Sequence, residues 1–247
     1  MVRERLDKLL LARGLASSRE RAQALILAGE VVAGERLADK PGTLFPIDIP
    51  LRLKNEEMPW VSRGALKLLH ALDLWAIDAT GRVCLDAGAS TGGFTDVLLS
   101  RGALRVYAVD VGHGQLAWKL TQDPRVISRE GVNVRYLTPE QLPEAVELLT
   151  MDVSFISQAL TLPPAAALLK PGGTGVTLIK PQFEVGREKV GKGGVVREES
   201  FHQEAVERVR GVAAQLGLRE LGWAPSPILG PKGNKEFLFA FRKPVED

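Results

Sequence analysis

From residue 62 onward the chain alternates apolar extended runs with helical stretches, and that alternation constrains the fold more than any other feature. Runs suited to strands lie at 82–86, 105–110, 125–128, 147–152, 174–180, 219–223 and 236–242. Between them fall helical patterns at 62–74, 93–101, from 113, at 157–169 and at 198–216. Strands separated by helices predict an α/β sandwich whose mostly parallel sheet is covered on both faces. Ligands of such sheets gather beyond the carboxyl ends of the strands.

The first part of the chain follows another grammar. Leu6, Leu9 and Leu10 mark one face of a helix, and Gly14 supplies a left-handed stop. Ser17-Ser18-Arg19-Glu20 fits a capping box with Ser17 as the cap, and Ala22, Leu25 and Ile26 form the next apolar stripe before Gly29. Val31-Val32 and Glu35-Arg36-Leu37 read as a hairpin turning at Ala33-Gly34, and Leu51-Arg52-Leu53 extends again. Residues 54–61, polar and then punctuated by Pro59, read as a linker. The expected division is a small α+β module at 1–58, a linker at 59–64 and a larger domain at 65–247.

Composition excludes several classes. With 45% hydrophobic and 25% charged residues, the chain is not largely disordered. No apolar run approaches the roughly 18–20 residues of a membrane span, and the charged start does not resemble a secretory signal. Cys84, between Val83 and Leu85, reads as a small buried hydrophobe. A cytoplasmic location is the expectation. His70, His113 and His202 show no ligand spacing, so no metal is expected.

Asp86-Ala87-Gly88-Ala89-Ser90-Thr91-Gly92-Gly93-Phe94 follows a strand and opens a helix. A dinucleotide fingerprint would need glycine at Ser90, and a phosphate-binding P-loop would need a lysine after Gly92 or Gly93. The Asp-x-Gly-x-x-x-Gly pattern resembles instead motif I of S-adenosylmethionine-dependent methyltransferases. That resemblance places Asp86 at the cofactor's amino-acid end and Gly88, Ser90, Thr91, Gly92, Gly93 and Phe94 around it. Asp110, ending the next strand, suits both ribose hydroxyls, and Asn133 after the third strand is a candidate near the adenine ring. Asp152 and Lys180 end two further strands and should face the same crevice, Asp152 beside the cofactor's methyl. An ion pair capping two strands is the plainer reading of these two.

Lys67 and Glu236 complete a set of two lysines and two carboxylates suited to activating a hydroxyl. In chain order, Lys67, Asp152, Lys180 and Glu236 resemble the tetrad of FtsJ-like ribose 2′-O-methyltransferases. The N-terminal module, with Arg5-Leu6-Asp7, Ser17-Ser18-Arg19, Ala22 and Gly29-x-Val31-Val32, resembles an S-four-like RNA-binding domain, although Ala33 stands where that module usually has Asn. With Trp60-Val61-Ser62-Arg63-Gly64 between them, the pairing resembles the TlyA family, often labelled hemolysin A. The resemblance implies a seven-stranded Rossmann-like methyltransferase sandwich, S-adenosylmethionine as cofactor, and cytidine 2′-O-methylation of ribosomal RNA. A non-enzymatic RNA-binding or ribosome-assembly protein is the alternative, and a hemolysin ranks lower.

Charge distribution agrees with an RNA partner. The whole chain carries only +2, yet residues 1–29 carry six basic and three acidic side chains. Arg5, Arg19 and Arg21 are the expected phosphate contacts there. Arg187, Lys189 and Lys192, in a Gly-rich loop expected to overhang the site and to order on RNA, form a second basic group, and Arg63 at the linker is a further expected phosphate contact. Ribosomal RNA or subunits are the expected partner, with no membrane, and a monomer is favoured.

Overall fold

The computed structural model describes residues 2–54 and 59–245. It divides into two compact units, Met1–Pro59 and Trp60–Asp247. The linker reading at 54–61 falls partly on residues 55–58, outside the described residues.

In the first unit β1 (Arg3–Arg5) leads into α1 (Leu6–Ala12) and α2 (Arg19–Leu27), followed by β2 (Val31–Ala33), β3 (Arg36–Ala38), β4 (Leu44–Pro46) and β5 (Leu51–Leu53). β1 pairs antiparallel with β4, and β2 lies between β3 and β5. Leu6, Leu10, Ala22, Leu25 and Ile26 are buried together, which is the apolar face expected of the helix pair, and Val31 of β2 packs with them. Two details differ from the sequence reading. Ser18, not Ser17, caps α2, its Oγ accepting the Arg21 N–H at 3.1 Å. Ala33 belongs to the strand and pairs with Arg36, so the turn falls on Gly34-Glu35 and needs no Asn at position 33.

Asp7 is fully buried at the start of α1. Its carboxylate accepts N–H groups from Arg5 (Nε and Nη2), Arg19 Nε and Gln23 Nε2, each at 3.0 Å. The Arg5 hydrogen bonds, above all, hold this carboxyl far below the usual carboxylate range, against the opposing effect of burial. A lowered carboxyl stabilises the fold at neutral pH, and that contribution is lost as pH falls below the ordinary carboxylate range. Asp7→Ala is therefore expected to destabilise this unit by about 1–3 kcal/mol. Faster amide exchange in α1 and α2 would register the loss; unchanged exchange would count against it.

The second unit contains α3 (Ala65–Leu74), β6 (Val83–Ala87), α4 (Gly93–Ser100), β7 (Arg105–Asp110), α5 (Trp118–Thr121) and β8 (Val126–Glu130). It continues with β9 (Val146–Met151), α6 (Gln158–Ala167), β10 (Leu169–Ile179), α7 (Pro181–Glu184), α8 (Glu199–Gln215), β11 (Arg219–Pro225) and β12 (Phe237–Arg242). The helix expected from residue 113 shrinks to the four residues of α5. Seven strands form one sheet in the order β11-β12-β10-β9-β6-β7-β8. β8 to β10 run parallel to their neighbours across β7, β6 and β9, whereas β12 is antiparallel to both β10 and β11. The two faces carry separate apolar cores, one around Leu85, Tyr107, Leu149 and Phe239, the other around Leu68, Leu98, Leu148 and Leu178. Alternate residues of each strand feed alternate faces. Cys84 lies fully buried in the second core, where burial pushes its thiol up to about 12.

Chain order leaves β6 with β7 on one side and β9 on the other, so the sheet reverses direction of growth there. A crevice at the carboxyl ends of β6 and β9 follows from that switch point.

Candidate active site

Motif residues of the β6–α4 turn form the floor of this crevice. Gly88 has φ +83°, and a Cβ on it would lie 2.7 Å from the Asp152 carbonyl oxygen, so only glycine lets the turn pack against the end of β9. Ser90, standing where a dinucleotide fingerprint has glycine, is itself left-handed at φ +49°. Its N–H donates to Asp110 Oδ2 at 2.8 Å while Gly112 N–H donates to Oδ1 at 2.7 Å. The Asp110 carboxylate is thus oriented by two backbone amides at the end of β7.

A cavity of about 510 Å³ opens above this turn, lined by Gly88, Ser90, Asp110, Asn133, Asp152, Ser154 and Phe155 with apolar neighbours that include Val109 and Ile156. Among the described residues none of its lining side chains is Lys or Arg. Two carboxylates, side-chain amides and apolar walls without a cation suit a nucleoside that carries no phosphate. A smaller cavity of about 180 Å³ adjoins it, sharing Gly88, Ser90, Asp152 and Ser154 and adding Thr91, Gly93, Phe94 and Lys180. Gly92 lines neither; at φ +94° it begins α4, and a Cβ there would strike Leu120 and Leu116.

Asp86 departs from its expected position. Its side chain is fully buried beneath the turn, with Oδ2 accepting the Thr95 hydroxyl at 2.7 Å and Oδ1 the Thr150 hydroxyl at 3.2 Å. It lines neither cavity. Burial, opposed by those two hydroxyls and reinforced by the charge of Asp152, pushes its carboxyl up to about 7.

The four tetrad candidates do converge. Lys67 on α3 reaches Glu236 Oε2 at 2.6 Å and Asp152 Oδ2 at 3.9 Å, and Lys180, directly after β10, reaches Asp152 Oδ1 at 2.6 Å. Glu236 is 2% exposed and each lysine 7%. Asp152 therefore lies between two ammonium groups and is held in register by its own N–H, which donates to the Ala87 carbonyl at 3.0 Å. Gly230 covers Glu236: a Cβ there would lie 2.0 Å from Oε1.

Three participants were not anticipated. Ser154 Oγ accepts from Lys180 Nζ at 2.7 Å. Glu184 is buried, and burial raises its carboxyl above the usual range. It accepts Ser157 Oγ–H at 2.7 Å and Gln158 N–H at 2.8 Å, which ties the segment after Lys180 to the start of α6. Phe155 is 90% exposed with φ +64°, and its ring sits 5.2 Å from that of Phe183. A bulky non-glycine residue in the left-handed region is a strained conformation that its surroundings must hold. Only the run Ser154-Phe155 after a strand-ending acid offered a sequence signal for two of them.

The basic candidates belong to both units. Arg5 and Arg19 are bound to Asp7 but keep substantial exposure, and Arg21 and Arg63 are exposed. In the Gly-rich loop Arg187 and Lys192 are exposed, whereas Lys189 pairs with Glu204 at 2.6 Å and lies over the Phe201 ring. Asn234 fastens the far end of that loop, with Nδ2 donating to the Gly194 carbonyl and Oδ1 accepting the Val196 N–H. Among the described residues no group of three or more His, Cys, Asp or Glu side chains could hold a metal.

Sheet order and crevice define a Rossmann-like methyltransferase fold. A family model described as FtsJ-like methyltransferase matches residues 60–243, and one described as S4 domain matches residues 4–45. The 16S/23S rRNA (cytidine-2′-O)-methyltransferase TlyA of Mycobacterium tuberculosis is 48% identical over 241 residues, 97% of this chain and 90% of that protein. Hemolysin A of Brachyspira hyodysenteriae is 39% identical, covering 96% of this chain and 99% of its own. A solved structure from Streptococcus thermophilus, described as a candidate hemolysin, shares 45% identity at a TM-score of 0.76 over 100% of this chain and 92% of that one. The chain belongs to the FtsJ-like methyltransferase family, in the TlyA group that pairs this domain with an S4 domain.

Proposed function

We propose that this protein methylates a cytidine ribose 2′-hydroxyl of ribosomal RNA, with S-adenosylmethionine as methyl donor. The observation that carries the reading is the chain of ion pairs from Lys180 through Asp152 to Lys67 and Glu236, set beside a cavity without cationic walls. When bound, the cofactor supplies a methyl group already activated on a sulfonium. Asp110 would accept the cofactor's ribose hydroxyls, Asn133 would face its base, and Gly88, Ser90, Thr91, Gly93 and Phe94 would surround the remainder.

Lys180 takes the proton of the 2′-hydroxyl when it is the neutral amine, or stabilises the developing oxyanion as the ammonium, and Asp152, which lines both cavities, holds Lys180 at the edge of the smaller one. Lys67 and Glu236 position the target ribose. Burial removes competing water, and proximity supplies most of the acceleration. The N-terminal module, through Arg5, Arg19 and Arg21, docks on structured RNA, and Arg63, Arg187, Lys189 and Lys192 of the methyltransferase unit contact further phosphates. The cytoplasm is where such a substrate is met. Among the described residues no helix is long and apolar enough to cross a membrane.

Tritium transfer from labelled cofactor onto isolated ribosomal subunits, followed by mapping of the labelled nucleotide, tests the reading. A 2′-O-methylcytidine is the expected product; absence of transfer to either subunit would overturn it. Calorimetry with the cofactor separates a catalytically silent fold, which should not bind it, from an enzyme lacking its right substrate.

Phe155, 90% exposed at the rim of the larger cavity, would stack on a target base turned out of its helix. Base–aromatic stacking is worth about 1–3 kcal/mol, so Phe155→Ala is expected to lower kcat/KM for RNA by roughly 10–100-fold while leaving thermal stability intact. Phe155→Tyr should keep most activity. Equal kcat/KM in the alanine variant and the wild type would remove the ring from the mechanism.

A further inference from the structure

Beyond the four tetrad residues, the structure assigns Ser154 to the site as the residue that aims the Lys180 ammonium; this rests on the methyltransferase reading above. Lys180 Nζ lies 2.6 Å from Asp152 Oδ1, but that oxygen has no hydrogen-bonding partner in the described structure, so the ion pair is close without being aligned as a hydrogen bond. Its aligned contact is with Ser154 Oγ at 2.7 Å. A carboxylate attracts an ammonium group from many directions, whereas a hydroxyl lone pair fixes one N–H along a line. Asp152 therefore sets the charge of the site and Ser154 sets the direction of Lys180.

The location of Ser154 gives this a purpose. It lines both the larger and the smaller cavity, so it stands where the cofactor side meets the Lys180 side. With one N–H committed to Ser154 and the group drawn toward Asp152, the remaining donor capacity of Lys180 is turned toward the space between the cavities. Ser154 is a positioning residue: it acts on the reacting hydroxyl through Lys180.

Ser154→Ala and Ser154→Thr test the assignment in the full-length protein. Misplacement of a catalytic group costs roughly 10²-fold, so Ser154→Ala is expected to lower kcat by about that factor while KM for ribosomal RNA and calorimetric affinity for the cofactor stay unchanged. Ser154→Thr, which keeps the hydroxyl, should recover most of kcat. A second readout needs no activity: the Lys180 side-chain ammonium signal in ¹⁵N spectra, identified by its disappearance in Lys180→Arg, should be exchange-protected in the wild type and in Ser154→Thr, and lost in Ser154→Ala. Unchanged kcat in Ser154→Ala, a fall that threonine does not restore, or a Lys180 signal indifferent to Ser154 would overturn the assignment. If wild-type protein transfers no methyl group to ribosomal RNA, the functional reading fails, and the ammonium signal alone decides Ser154.

Discussion

Lys180→Ala is expected to reduce methyl transfer by about 10³-fold, within the range contributed by a general acid–base group, while cofactor affinity and melting temperature stay near wild type. The expectation follows from the different ways the two lysines are embedded. Removing Lys180 frees an Asp152 carboxylate whose side chain is 21% exposed and which still has Lys67 at 3.9 Å, so water and the second lysine can satisfy it. Removing Lys67 instead strands Glu236, which is 2% exposed, has an Oε1 without a partner, and is pressed against Gly230. An uncompensated buried charge of that kind costs about 3–5 kcal/mol. Loss of activity in Lys67→Ala would therefore mix folding with chemistry, whereas Lys180→Ala isolates the chemistry. Single-turnover transfer to ribosomal subunits, beside a calorimetric titration with the cofactor, reads the two apart. Full turnover in Lys180→Ala would exclude the lysine from the reaction and return its pair with Asp152 to a strand cap.

Residues that end strands were legible because strand period and strand end are both written locally. Asp110, Asp152 and Lys180 each follow an apolar run, and a parallel sheet brings such ends to one edge whatever the loops do. Contacts that depend on two distant surfaces meeting were not legible. β1 and β4 pair Arg3 with Pro46 across the first unit, yet neither three-residue strand carries an alternating pattern. The motif resemblance puts Asp86 at the cofactor's amino-acid end, yet its side chain is fully buried beneath the turn. Thr95, nine residues on, and Thr150, on the neighbouring strand, instead close over it. Glycines of the same motif suggested close approach to a ligand, but at Gly88 and Gly92 the atoms that need the space belong to the chain itself. Helical periodicity beyond residue 113 gave only four helical residues, since Gly112 and Gly114 precede them and backbone amides there turn toward Asp110 and Glu130.

Sealing Asp86 in this way makes its stability contribution run opposite to that of Asp7. Its carboxyl in the folded chain is pushed up to about 7, chiefly by burial, against about 3.9 in an unfolded chain. Below about pH 4 both states hold the proton and burial carries no ionic penalty. Between about pH 4 and 7 the unfolded chain ionises while the folded one does not, so stability falls as pH rises. Above about 7 the folded state is ionised too, and the accumulated loss, on the order of 4 kcal/mol, stays constant. Asp86→Asn has no proton to lose and nearly the same shape, and the hydroxyls of Thr95 and Thr150 can rotate to meet an amide. Its melting temperature relative to wild type is expected to climb from pH 5 to pH 8, ending above wild type at the alkaline end. Thermal melts of both proteins at matched ionic strength measure that difference. A gap that stays flat with pH would mean Asp86 is already ionised at pH 5, with Thr95 and Thr150 outweighing burial.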